Sequence, residues 1–184
     1  MGIIEKLTLK LRNKIVIDSG NKIIIGKNTK IRNSFIKIRG KNQLLKIDNG
    51  VNLNKVNIEI RGKNNKIEIG ENTIIGKNVY ISAKENNISI LIGKNCMLSR
   101  NINILTSDGH IILQDNERIN LPDNIDIGDN VWVADEVTIL KGSKILTGSV
   151  VGTKSLINKK FYKENSLIAG VPGKVLKSDI KWKK

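Results

Sequence analysis

Counting in sixes from Ile127 meets Val133, Ile139, Ile145, Val151 and Ile157, six β-branched aliphatics in a single phase. With 39% of the chain hydrophobic, six hydrophobic residues in succession at a fixed step arise by chance in roughly 0.4% of cases, or a few per cent over all six phases, and that all six are Ile or Val argues further for a period of the fold. Two residues before each, Ile125, Val131, Val137, Ser143, Ser149 and Ser155 are small or medium-sized, which suits a tight corner. A longer period runs through the first half. Ile25-Gly26-Lys27-Asn28, Ile47-Asp48-Asn49-Gly50, Ile69-Gly70-Glu71-Asn72 and Ile92-Gly93-Lys94-Asn95 follow one another at nearly constant spacing, and Ile-Arg-Gly-Lys-Asn occurs at both 38–42 and 60–64. A repeat of about 22 positions means a solenoid.

In a solenoid each coil is a set of short strands whose inward Ile and Val side chains stack on those of neighbouring coils, so no coil buries its apolar stripe alone. Only six residues are aromatic, so the core is expected to be β-branched aliphatic, which favours strands. Gly and Asn recur just after the inward aliphatics because they best tolerate the positive φ of a turn. In a helix interior those same residues would cost about 0.5–1 kcal/mol each, and a helical reading fails.

At 184 residues the chain suits one domain, read as N-terminal coils over 1–104, a loop over 105–123, hexapeptide coils over 124–160 and a C-terminal extension over 161–184. The single cysteine, Cys96, has no internal partner for a disulfide, and a reducing cytoplasm is the expected compartment. Residues 1–18 alternate polar and apolar without an apolar run, so neither a signal peptide nor a membrane span is expected. Met1-Gly2 opens like a myristoylation site, but Lys6 stands where the pattern needs Ser or Thr. The net charge of +15 admits nucleic acid, an acidic membrane surface or an anionic substrate as partner without choosing among them. The lysines are spread beside turn asparagines rather than gathered in one run, so nucleic acid is not the expected partner.

Three stretches carry a resemblance: Ile127-Gly128-Asp129-Asn130-Val131-Trp132-Val133-Ala134, the hexads through Ile157, and the closing run Ala169-Gly170-Val171-Pro172-Gly173-Lys174-Val175-Leu176-Lys177. Together they resemble the hexapeptide-repeat acyltransferases, nearest the branch that O-acetylates sugars, capsules and lipopolysaccharide. The resemblance implies an all-β, left-handed parallel β-helix with a protruding loop near 105–123. It also implies a homotrimer with acetyl-CoA held between neighbouring helices, and three active sites at the subunit interfaces.

From Ile92 to Ile127 the regular spacing breaks, and the excess amounts to a loop of about 17 residues projecting from a coil of about 18 residues. This loop holds His110, the only histidine of the chain. An alcohol is a poor nucleophile at neutral pH, and imidazole has a pKa suited to taking its proton. In the resembling enzymes the base follows a glycine and precedes a Val-Trp strand, as Gly109-His110 precedes Trp132 here. Asp108 and Glu117 are the carboxylates for orienting the imidazole or binding acceptor hydroxyls. Trp132 is expected to point outward, against a sugar acceptor or a neighbouring subunit. For acetyl-CoA the resemblance implies a backbone channel at Ala134, Gly152 and Thr153, phosphate contacts from Lys154, Lys159 and Lys177, and Pro172 beside the adenine. No metal is expected. A γ-class carbonic anhydrase, which shares the implied fold, is excluded because its zinc needs several imidazoles.

The chain departs from the pattern at Ala134 (usually Gly), at Thr153-Lys154 (usually small residues), at Lys160-Phe161-Tyr162 (usually an acidic residue, an aliphatic and a proline) and at Gly173 (usually Ala). These changes bear on the width of the channel. Two alternatives stand beside O-acetyl transfer: N-acetyl transfer to an amino sugar on the same helix, and a non-catalytic basic β-helix that binds anionic polymer.

Overall fold

The computed structural model describes residues 11–184. The expectation of no leader, anchor or lipidation signal falls, for residues 1–10, outside the described residues. Apart from Leu11 and Arg12, which are helical, the regular structure described is β. Among these residues no helix is long and apolar enough to cross a membrane.

The strands stack into three parallel sheets, the faces of a three-sided solenoid of about seven coils. Face A carries Lys14–Ile17, Phe35–Lys41, Val56–Lys63, Val79–Asn86, Asn103–Leu105, Thr138–Leu140 and Leu156–Ile157. Face B carries Lys22–Ile25, Leu44–Ile47, Lys66–Ile69, Ser89–Ile92, Ile125–Ile127 and Lys144–Ile145. Face C carries Lys30–Arg32, Asn52–Asn54, Ile74–Ile75, Met97–Leu98, Trp132–Val133, Val150–Val151 and Leu167–Gly170, and Gly173–Lys177 folds back antiparallel on the last of these. The parallel ladder therefore runs past residue 160 into the C-terminal extension.

The registers explain both sequence periods. On face B, Ile25 pairs with Ile47, Ile47 with Ile69, Ile69 with Ile92, Ile92 with Ile127 and Ile127 with Ile145. One coil is thus the longer period in the first half, three hexads in the second, and both plus the loop at the step from Ile92. The six hexad residues Ile127 to Ile157 are all buried, and so are the six residues two places before them. The extra length of the long coils sits at one corner, between faces A and B. The passage from Ile139 to Ile145 is a single hexad, that from Ile58 to Ile69 is nearly twice as long, and that from Ile104 to Ile127 is longest, which is where the loop leaves the solenoid.

The backbone polar groups at this corner are satisfied by a ladder of side-chain amides, half-buried at Asn21 and buried at Gln43 and Asn65, as groups shielded from water must be. The side-chain oxygen of Asn21 accepts from the Gln43 amide, that of Gln43 from the Asn65 amide, and that of Asn65 from the Ile88 amide, each at 2.9 Å. Their NH2 groups donate to carbonyls above and below, Asn65 to Arg61 and Glu85 among them. At the corner between faces C and A, one residue per coil adopts positive φ: Asn33, Lys55, Asn78, Asn101, Glu136 and Lys154. Lys55 (φ 56°) holds a conformation Asn adopts more readily. Lys55→Asn is expected to stabilise the fold by about 0.5–1 kcal/mol, read as a shift of the urea midpoint at constant slope.

On the outside of face A, Glu59 accepts from the Tyr80 hydroxyl (2.7 Å) and pairs with Lys84 (3.0 Å) and Lys37 (3.4 Å). Burial alone would push its carboxyl up, but these three donors outweigh burial and hold it at about 2. A depressed carboxylate stabilises the fold above its unfolded pKa, and that contribution is lost as pH falls through the folded value. Acid titration should therefore remove the Glu59 contribution between about pH 4.5 and 2. Tyr80→Phe should raise the midpoint of acid unfolding followed by circular dichroism.

Candidate active site

The loop leaves face A at Leu105, returns to face B at Ile125, and is braced at its base. Arg118 forks across Glu85, with Nη1–Oε2 and Nη2–Oε1 both at 2.7 Å, and the Ser107 hydroxyl donates to the same carboxylate at 2.6 Å. The guanidinium holds the Glu85 carboxyl below the usual carboxylate range. Asn120, buried inside the loop, donates to the His110 carbonyl (2.7 Å) and to Asp108 (3.0 Å), and accepts from the Ile112 amide (2.8 Å). Beyond this base Leu113–Gln114 pairs with Glu117–Arg118 as a hairpin. Asp115 and Asn116 turn it with positive φ at both positions, which matches the right-handed twist of the strands.

His110 is thus fixed through its backbone while its exposed imidazole has no hydrogen-bond partner among the described residues. Neither candidate carboxylate orients the imidazole within this chain, which leaves acceptor binding as the role open to them. Asp108 is taken by Lys141 Nζ (2.5 Å) and Asn120, and Lys141 holds its carboxyl below the usual range. Glu117 lies on the hairpin opposite Gln114, and neither carboxylate bonds to the imidazole. The loop also exposes five aliphatics, Ile111, Ile112, Leu113, Ile119 and Leu121, each at least half exposed. Such a concentration on one short hairpin marks a contact surface.

Face C is built differently. Ile74, Met97, Trp132, Val150 and Leu167 form an outward apolar column in register. Beside it, Gly76, Ser99, Ala134 and Gly152 form a column of small residues, each amide bonded to the next coil. A Cβ built on Gly152 would stand 2.9 Å from Ala169 Cβ, so that step of the lane admits no larger side chain. The Trp132 indole donates to Ser99 Oγ (3.2 Å), and its ring is met by Trp182 of the C-terminal tail, with centroids 6.0 Å apart. Trp182 is held in turn by its own bond to the Asn130 carbonyl, 2.8 Å. Trp132 therefore points outward as expected, but its own chain half covers it.

No protein-family model and no curated protein matches the chain. Solved structures do match. The polySia-specific acetyltransferase NeuO is 28% identical with a TM-score of 0.72, over 94% of this chain and 89% of that one. The polysialic acid O-acetyltransferase OatWY is 28% identical with a TM-score of 0.64, over 94% and 88%. A maltose O-acetyltransferase from Clostridium difficile, at 21% identity, TM-score 0.52 and coverage of 96% and 75%, shares the fold. The chain shares its β-solenoid fold with these O-acetyltransferases and spans most of their length.

In this acetyltransferase the expected site residues fall on different sides of the prism. Ala134, Gly152, Thr153 and Lys154 gather where face C turns toward face A, and Pro172 and Lys177 lie on the closing hairpin of face C. His110, Asp108 and Glu117 project from the opposite corner, between A and B. Lys159 also stands at that corner, its carbonyl bonded to Lys144 N and its ammonium over the Phe161 ring, apart from the other two lysines. Sequence reasoning missed Asn120, Arg118, Lys141 and Trp182. The one available signal was Trp182, one of two tryptophans, lying in a lysine-rich tail.

Proposed function

We propose that this acetyltransferase moves the acetyl group of acetyl-CoA to a hydroxyl of a sugar or surface polysaccharide, with His110 as general base. The observation that carries this reading is the chain's sole imidazole, fixed through its backbone by Asn120 and left free at its ring on a braced loop. Acetyl-CoA supplies the activated acyl group when bound. The small-residue lane at Ala134 and Gly152 suits a pantetheine arm, Thr153 and Pro172 flank it, and Lys154 and Lys177 offer point charges to its phosphates. His110 holds the acceptor hydroxyl and takes its proton as the new ester bond forms, then returns that proton to the departing thiolate. Trp132 and Trp182 offer aromatic faces beside the lane.

Because the lane and His110 lie on opposite sides of one chain, the proposed site needs the loop of one copy against the lane of the next. Such a heterologous contact closes as a ring, here a homotrimer, and the five exposed aliphatics of the loop supply its apolar contact. A monomer by light scattering at working concentration would refute this arrangement. The unpaired Cys96, buried and with its thiol pushed up to about 11 by burial, is inert and compatible with a reducing cytoplasm as the working compartment.

The reading is tested by incubating the protein with acetyl-CoA and a panel of sugars, oligosaccharides and amino sugars while following free thiol. Thiol release that requires an acceptor hydroxyl supports it. Release only with amino sugars, the product an amide, would replace it with N-transfer.

A further inference from the structure

None of the residues after Lys177, where the closing hairpin ends, joins a sheet. The tail instead runs back along the corner between faces B and C and is pinned at points spread along it. Asp179 pairs with Lys163 at 3.1 Å, the Ile180 amide donates to the Asn165 carbonyl at 2.9 Å, and the Trp182 indole donates to the Asn130 carbonyl at 2.8 Å. Asn165 and Asn130 both turn this corner with positive φ, and the bonds from Asn165 to Thr147 and from Gly148 to Asp129 set them two coils apart, about 10 Å. The tail is therefore a strap laid across the edges of successive coils. Its fastenings are of a weak kind: the ion pair is exposed at both ends, 56% at Lys163 and 80% at Asp179, and such pairs contribute little. A chain end held this way opens locally at small cost. What the strap covers is specific. The Trp182 ring lies with its centroid 6.0 Å from that of Trp132, at 42°, within the range at which two rings touch. Trp132 is the one aromatic of the outward column of face C, so Trp182 fills the place that a sugar ring stacked on Trp132 would take.

We infer that Trp182 is a displaceable cap on Trp132, which an acceptor sugar must lift before it can stack on that ring. The inference rests on the acetyl-transfer reading and adds to it a residue that sets acceptor affinity by acting through Trp132. With the strap closed, the two indoles are turned on each other and that face of Trp132 is taken. Apparent affinity falls with the fraction of molecules in the competent state, so a strap that is closed most of the time raises the acceptor KM. It leaves kcat alone, because every bound acceptor has already lifted it. The KM for acetyl-CoA is also spared, because the lane at Ala134 lies on the face A side of Trp132, away from the strap.

The test follows thiol release with galactose, maltose and a sialic acid trisaccharide as acceptors, and deuterium exchange of the peptide that carries the Ile180 amide. The wild type is compared with Trp182→Ala, Trp182→Phe and, as an exposed control on the same tail, Lys183→Ala. Trp182→Ala should lower the KM of the sugar that is acetylated about three- to tenfold, with kcat and the KM for acetyl-CoA within about twofold of wild type. Trp182→Phe keeps a ring but loses the bond to Asn130, and its KM should fall between the two. Lys183→Ala should match the wild type. Saturating sugar should speed exchange at Ile180 in the wild type, whereas Trp182→Ala should exchange fast with or without it. A higher acceptor KM in Trp182→Ala, or slower exchange at Ile180 with sugar bound, overturns the inference, because the second ring would then hold the sugar rather than exclude it. A sugar that speeds exchange while none of the three releases thiol would keep the cap and remove the acetyl-transfer reading. Thiol release with KM and exchange indifferent to Trp182 would keep transfer and end the cap. Silence of both measurements in the wild type and Trp182→Ala alike would remove both.

Discussion

Replacing His110 with alanine is expected to lower kcat by about 10²–10⁴-fold while leaving the melting temperature within about one degree of wild type. The two halves of that expectation have separate causes. The imidazole makes no hydrogen bond to the described residues, and Asn120 grips His110 through its carbonyl, which alanine keeps. The side chain therefore contributes little to stability. Its contribution to rate is that of a base placed beside an alcohol, so KM for acetyl-CoA should move little. Asn120→Ala should behave differently. It strips the bonds to Asp108, His110 and Ile112 from a buried position, and should lower both the melting temperature and the rate. Full thiol release by a folded His110→Ala protein, with an acceptor the wild type uses, would end the assignment of the base.

The sequence carried the solenoid clearly because the fold is periodic: each inward Ile or Val meets the same environment one coil later, so chemistry repeats along the chain. The loop was legible for the same reason, as the one coil in which the step from Ile92 to its partner Ile127 outruns the step from Ile69 to Ile92. What was not legible depends on contacts between coils rather than on spacing within them. Asp108 sits close to His110 in sequence, yet its ammonium partner, Lys141, lies far along the chain and enters only when the backbone has wound through another coil. The placement of His110 and the Ala134 lane on opposite sides follows from which corner absorbs the extra residues, and no motif announces that corner. Trp182 closes on Trp132 from the far end of the chain. Ile-Arg-Gly-Lys-Asn is visible in two copies, but that Arg39 stacks on Arg61 and Lys41 on Lys63 is a matter of register.

Gly62 is where the close approach of coils has its sharpest consequence. Its φ of +123° lies in a region open in practice to glycine alone. A Cβ built on it would overlap the carbonyl oxygen of Glu85 in the coil above. Gln43 meanwhile donates to the Gly62 carbonyl from the coil below, at 2.5 Å, so Gly62 cannot retreat downward without breaking the amide ladder. Gly62→Ala should therefore cost about 3–5 kcal/mol, a fall in melting temperature of about 10 °C or more for a chain of this size. Gly20 supplies the control. It too has positive φ, +77°, but nothing stands within 4 Å of an added Cβ, so Gly20→Ala should cost only about 1 kcal/mol of backbone strain. In a solenoid the damage stays near the broken interface, and the coil above Gly62 is the one whose Glu85 holds the loop. The variant should accordingly lose acetyl transfer at temperatures where most of the β signal survives. Equal melting of the two alanine variants would mean that coil-to-coil contact at the corner between faces A and B does not set the stability of this part of the fold.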